Sequence, residues 1–325
     1  MAPSLRNSHK SNKEYEEAKF NAEKNDADAQ YLMGQHYYSA IDSINNYEKA
    51  YYWYYKAMQN GSVYAMFNLV NMYYKGIGTD KDEKAGASIL KFLAKEGIGA
   101  AQYTLAQKYE DGSGVEQDDE KALHWFQQSA ENGFSIGQLE MGRYYVETQP
   151  TKAYGWFLKC AEQNVSDCQN SIIIMNLLGQ GTIIDLKKAF EWALKSAENK
   201  DPEGQYLLST LYLKGKGTLT DKKKAFYYCN LSAEQNYAKA QYLLSQMYFE
   251  GTGTLKHGRK GFEWCEKSAI NNNVDAQLVL GKFYFFGEGV QSNKKLSAKW
   301  IRVAYENGNE DAKTFWEENE LWKYE

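Results

Sequence analysis

Small, apolar and aromatic residues recur along the chain in a fixed order. A small residue, a Gln, an apolar residue three positions later and a Tyr seven positions later mark one helical face, as in Ala101, Gln102, Leu105 and Tyr109. Leu208 with Tyr212 and Leu280 with Tyr284 keep the same register. With the Gln as reference, copies fall at 30, 66, 102, 138, 169, 205, 241 and 277, where Met66 takes one Gln slot. The spacing is 36 throughout except for one step of 31, and a further 36 reaches Lys313. Six of these helical patterns run into Gly-x-Gly: Gly76/Gly78, Gly112/Gly114, Gly179/Gly181, Gly215/Gly217, Gly251/Gly253 and Gly287/Gly289. The first glycine suits the positive φ of the residue that ends a helix. Sixteen residues after the reference stand Asn46, Asp82, Asp118, Asp185, Asp221 and Asn293, the side chains that cap a second helix; His257 fills that slot in the seventh copy. A large aromatic follows at plus 23 (Trp53, Trp125, Trp156, Trp192, Tyr228, Trp264, Trp300), replaced by Ile89 in the second copy. Small pairs such as Ser129-Ala130 and Ser232-Ala233 then permit close helix crossing.

Helices this short are marginal alone and bury their faces only against neighbouring copies. The pattern therefore predicts an all-α fold: a right-handed α-solenoid superhelix of antiparallel helix pairs, about eight 36-residue repeats plus partial capping helices. Residues 1–12 read as a disordered tail, 13–27 as an N-terminal capping helix, 28–310 as the eight repeats and 311–325 as a C-terminal capping helix. The fourth repeat loses five residues and turns around Pro150 in place of a Gly-x-Gly loop.

The pattern A-Q-x-x-L-x-x-x-Y-x-x-G-x-G, followed by D-x-x-K-A-x-x-W and S-A-E-x-G, is similar to the Sel-1-like repeat family, relatives of tetratricopeptide repeats. The resemblance covers nearly the whole chain. It implies a superhelix that works by holding other proteins, as adaptors in bacterial signalling, secretion and host contact and in eukaryotic protein quality control. The first repeat departs in lacking the Gly-x-Gly loop.

Composition narrows the partners. The 325 residues carry a formal net charge of −4, with 43% hydrophobic and 25% charged side chains. A mildly acidic chain lacks the clustered cations that neutralise phosphates, so no nucleic-acid partner is expected. No run approaches the length of a membrane span, so no membrane partner is expected either. Met1–Glu17 lacks the apolar core of a signal peptide, which leads to a cytoplasmic expectation.

Catalytic and cofactor chemistry finds little support. The glycine pairs follow helices and lack the Lys-Ser or Lys-Thr of a phosphate loop. His9, His36, His124 and His257 lie in separate segments without metal-ligand spacing, so neither a metal nor a cofactor is expected. Cys229 and Cys265 share one repeat position and read as small core residues. Cys160 and Cys168 occupy small-residue slots on successive helices; some secreted family members carry disulfides at a similar separation, and reduced packing residues are the expectation here. Acidic runs such as Asp118-Asp119-Glu120 begin helices and suit the helix dipole. Lys49, Lys121, Lys152, Lys188, Lys224 and Lys260 share a first-turn position where the dipole disfavours a cation, unless the stem covers apolar surface. Lys222, Lys223, Lys294 and Lys295 extend a basic edge on the later repeats.

If first helices line the inside of the solenoid, the exposed positions are plus 1, 5, 8 and 9. They supply aromatic candidates for a partner groove: Tyr31, Tyr38, Phe67, Tyr74, Tyr103, Tyr206, Tyr242, Phe249, Phe285 and Phe286. Tyr and Phe offer contact area at low entropy cost, although plus-1 aromatics equally suit packing between helices. The expected function is a non-enzymatic interaction scaffold, a monomer that binds a protein or peptide along a concave groove. A bacterial immunity or regulatory protein that neutralises a toxin is the narrower alternative, resting on family analogy. A hydrolase is the alternative from a different class, unsupported by any residue.

Overall fold

A computed structural model describes residues 15–39 and 44–324. The expected tail at 1–12 and His9 lie outside the described residues, as does the start of the expected N-terminal cap. Among the described residues there are eighteen α-helices, one terminal 3-10 turn and no strand. Helix α1 spans residues 15–23. The first helices of successive repeats are α2 (Ala27–Ser39), α4 (Val63–Lys75), α6 (Gly99–Asp111), α8 (Ser135–Tyr145), α10 (Ser166–Leu178), α12 (Pro202–Lys214), α14 (Ala238–Glu250) and α16 (Val274–Phe286). The second helices are α3 (Ile44–Gln59), α5 (Glu83–Lys95), α7 (Asp119–Glu131), α9 (Pro150–Glu162), α11 (Leu186–Glu198), α13 (Lys222–Glu234), α15 (Gly258–Ile270) and α17 (Lys294–Glu306). Helix α18 (Glu310–Glu318) and a 3-10 turn (Leu321–Tyr324) close the chain.

Two compact units divide the chain, Met1–Met141 and Gly142–Glu325, the division falling within α8. In each unit a first helix packs on the second helix of its own repeat and on that of the preceding one. In the first unit Leu69, Leu90, Leu93 and Leu105 are wholly buried. In the second unit Ile173, Leu208, Leu244 and the thiol of Cys229 form the equivalent core, continued by Cys265 and Leu280. The plus-3 residue is at most 1% exposed in all eight repeats, from Met33 to Leu280. That burial supplies about 1.5–3 kcal/mol per side chain, which is what holds a 13-residue helix in place.

Loop chemistry sets the repeat geometry. The first glycine of each Gly-x-Gly adopts the left-handed conformation, with φ of 71° at Gly112. The second glycine answers a different demand. A Cβ on Gly114 would lie 2.2 Å from the Glu83 carbonyl oxygen, because this loop rests on the first turn of the preceding repeat's second helix. The Asp118 N–H donates to Tyr109 O, and Asp118 Oδ1 accepts from the Lys121 N–H at 2.9 Å. Asp82, Asp185, Asp221, His257 and Asn293 cap in the same way.

Two expectations are corrected. Helix α3 begins at Ile44, so Asn46 lies inside its first turn and not at the position before the helix. Cys160 and Cys168 form a disulfide, with Cα atoms 5.8 Å apart, where reduced packing was expected. The reason is the crossing itself. These two slots hold Ser129 against Gly137 and Ser196 against Gly204 in other repeats, contacts so tight that a Cβ on either glycine would meet the serine Oγ. Two cysteines placed there have their sulfurs within bonding reach.

Candidate functional site

The first helices leave part of their surface open in each unit. In the first unit Leu32, Gln35 and His36 on α2 and Gln107 and Glu110 on α6 are exposed. Tyr31, Leu32, Gln35, Tyr38, Tyr54 and Asn68 line a depression of about 560 Å³. In the second unit Ile174, Lys214, Gln246, Glu250 and Phe286 occupy the same face. Tyr242, Gln246, Phe249, Glu250, Val279 and Glu288 surround a smaller depression of about 300 Å³. Glu110 has its carboxyl pushed above the usual range by burial and by Glu140, Asp119 and Asp111.

Nine of the ten aromatic candidates are half-buried, and Phe286 is 61% exposed. At plus 1, the Tyr31 ring lies 5.8 Å from Tyr54 and 5.7 Å from Tyr64, and Tyr103 lies 5.5 Å from Phe126 and 5.7 Å from Phe134. Phe67 packs on the Leu90–Leu105 cluster. Tyr206 meets Tyr237 at 5.4 Å, and Tyr242 packs on the Cys265 cluster. The plus-1 hydroxyls are steered by the amide one turn on: Gln35 Nε2 donates to Tyr31 Oη at 2.8 Å and Gln107 Nε2 to Tyr103 Oη at 3.1 Å. Plus-1 residues thus present an edge and a polar tip to solvent while their rings join repeats.

At plus 8, Tyr38 stacks edge-on against Tyr47 and accepts from Asn71 Nδ2. Tyr74 covers Gly86, donates to Ser113 O at 3.0 Å and carries Lys108 Nζ 4.8 Å from its ring. Burial pushes its hydroxyl up to about 12. Phe249 covers Gly261 and lies 4.8 Å from Phe283. Phe285 packs on Phe315 at 5.4 Å. The open positions are minus 2, 5 and 9 in most repeats, so the exposed face is more polar and aliphatic than a row of rings.

The lysines of the second-helix first turn are explained by the Tyr at plus 7. Lys49, Lys121, Lys152, Lys224 and Lys260 place Nζ 5.1 to 5.7 Å from the rings of Tyr37, Tyr109, Tyr145, Tyr212 and Tyr248. Lys121, Lys188 and Lys224 also pair with their cap aspartates.

Sequence reading used the reference Gln as a marker and gave it no role. Gln102 is 2% exposed; its Nε2 donates to Ala94 O at 2.9 Å and its Oε1 accepts from Asn132 Nδ2 at 2.9 Å. One side chain therefore ties α5, α6 and α7. Gln30, Gln169, Gln241 and Gln277 repeat both bonds. The signal was present: an Asn or Gln stands thirty residues after each of these glutamines, whereas Met66 has Glu96.

Among the described residues no group of three or more His, Cys, Asp or Glu side chains is arranged to hold a metal. No helix among them is long and apolar enough to cross a membrane.

Comparison with known proteins places this geometry. The model of the Sel1 repeat matches eight times, at residues 27–62, 63–97, 99–134, 136–165, 174–201, 202–237, 238–273 and 274–309. The structure is similar to that of a protective antigen with an SLR fold from uropathogenic Escherichia coli, with a TM-score of 0.79, 30% identity and coverage of 92% of this chain and 65% of that one. It is also similar to a Sel1 repeat protein from Oxalobacter formigenes, with a TM-score of 0.71, 25% identity and coverage of 93% and 89%. Among curated proteins, an uncharacterized protein of Neisseria meningitidis is 22% identical over 135 residues, covering 42% of this chain and 28% of its own length. Chitin synthase regulatory factor 3 of Schizosaccharomyces pombe is 27% identical over 144 residues, covering 40% and 15%. The chain thus spans under a third of the length of these curated relatives. With its helix pairs, its Gly-x-Gly loops and eight matched copies from residue 27 to residue 309, the chain belongs to the Sel1 repeat family.

Proposed function

We propose that this protein is a non-enzymatic scaffold that holds a protein or peptide partner on the face of its first helices. Sel1 repeat proteins are generally protein-interaction scaffolds. The observation that carries the reading is the open first-helix face in each unit, where half-buried aromatic edges alternate with exposed amide, aliphatic and charged side chains. Fixed rings supply apolar area without an ordering cost, and the side chains at plus 5 and 9 supply directional contacts. The concave groove of the family's superhelix is the expected seat for such a segment. The Cys160–Cys168 bond favours work in an oxidising compartment over the reducing cytosol.

A photo-crosslinking amino acid placed at Leu32, Gln107, Gln246 or Phe286 tests the face. Tyr52 and Tyr227, exposed on second helices, serve as comparison sites. The expected result is one shared adduct from the first-helix sites and none from the second-helix sites. Adducts from Tyr52 and Tyr227 alone would overturn the reading.

A further inference from the structure

The loops of repeats five to seven carry a feature that core packing does not use. At plus 14, just past the Gly-x-Gly, stand Ile183, Leu219 and Leu255, which are 81%, 88% and 87% exposed. The second and third repeats have Asp80 and Glu116 there. Single exposed aliphatic residues need no explanation, but three at one repeat position do. Ile184, 63% exposed, adds to the first tip.

Contacts within the second unit put these tips in a row. The backbone of Gly217 lies against Leu186 O, and that of Gly253 against Lys222 O. Each loop therefore rests on the first turn of the preceding second helix, where the lysines are. Segments 179–188, 215–224 and 251–260 carry nine Lys or Arg and two Asp, whereas 76–85 and 112–121 carry three Lys and seven Asp or Glu. Lys187, Lys216, Lys222, Lys223 and Lys256 are exposed and form no ion pair among the described residues. The two aspartates are already engaged as helix caps.

From this juxtaposition we infer that the loop edge of repeats five to seven docks on an anionic lipid surface. Projecting aliphatic tips ringed by cations enter the boundary between headgroups and acyl chains, while the lysines meet the phosphates. A protein partner would need three sockets at the spacing of the repeats, whereas a bilayer needs none. Docking of this kind requires no membrane-spanning helix, so it departs from the expectation of no membrane partner, which rested on the absence of a long apolar run alone.

Sedimentation of the full chain with vesicles tests the inference, comparing phosphatidylcholine alone with phosphatidylcholine containing phosphatidylglycerol. The expected result is co-sedimentation with the anionic vesicles alone, weakening as salt rises. The triple variant Ile183→Ser, Leu219→Ser, Leu255→Ser should lower partitioning at least about tenfold. Lys216→Glu, Lys222→Glu, Lys223→Glu and Lys256→Glu combined should abolish it. Lys75→Glu with Lys95→Glu in the first unit should leave it unchanged. All the substituted side chains are exposed, so circular dichroism should match throughout. A chain that stays in the supernatant with anionic vesicles, or a serine variant that binds as well as the parent, would overturn the inference. Retention on poly-glutamate without vesicle binding would overturn it in favour of an acidic protein surface.

Discussion

Replacing Gln102 by Met tests how repeats are joined. Met matches the volume and is the residue that Met66 supplies naturally at the same position. The substitution removes the bond to Ala94 O and the one from Asn132. Ala94 O keeps the Gly97 N–H as a partner, and Asn132 can turn to water, so neither loss strands a group completely. At about 1 kcal/mol net per bond the cost is about 2 kcal/mol. Asn132→Ala is the more informative change, because it leaves Gln102 Oε1 buried without its partner. That strands a polar atom and should cost about 1–3 kcal/mol in the parent, yet close to nothing in the Gln102→Met background. Urea unfolding followed by circular dichroism gives the total, and hydrogen exchange of α5, α6 and α7 gives the local opening. In a repeat protein such a loss should appear at that interface first. Equal costs for Asn132→Ala in both backgrounds would refute the bridging role.

Further predictions follow from the same contacts. Denatured, unreduced protein should show two free thiols, and reduction should cost up to about 2.5 kcal/mol, the chain-entropy value for so short a loop; four free thiols would contradict the disulfide. Gly114→Ala should destabilise far more than Gly112→Ala, since both share a left-handed φ but only Gly114 faces a carbonyl oxygen at 2.2 Å. The expected gap is more than about 1 kcal/mol in chemical denaturation, and equal costs would contradict the loop-on-helix contact. Burial pushes the thiols of Cys229 and Cys265 up to about 12 from an ordinary 9.0. Groups raised in this way contribute stability that is fully present below pH 9 and lost as pH rises toward 12, so melting temperature should fall across that window. A flat profile there, or rapid native labelling of either thiol at pH 8, would contradict their burial.

Much of the fold was legible because a repeat states its rules eight times. The helix ends at Gly112 and Gly215 and the caps at Asp118 and Asp221 are local chemistry, so spacing alone located them. The disulfide was not legible, because whether Cys160 and Cys168 meet depends on how closely α9 and α10 cross. The second glycine was visible as a letter, but its cause lies in the preceding repeat. The aromatic candidates were harder still. A Tyr at plus 1 or plus 8 serves packing and exposure at once, and the balance is set by neighbours such as Gly86 and Gly261, which let Tyr74 and Phe249 sink against the second helix.

Hydrogen exchange of the chain with and without its captured partner tests the central claim most directly. The account predicts protection concentrated on first helices, α4 and α6 in one unit and α12, α14 and α16 in the other, with second helices unchanged. Protection confined to second helices, or to the 183, 219 and 255 loop tips, would contradict a partner seated on the first-helix face.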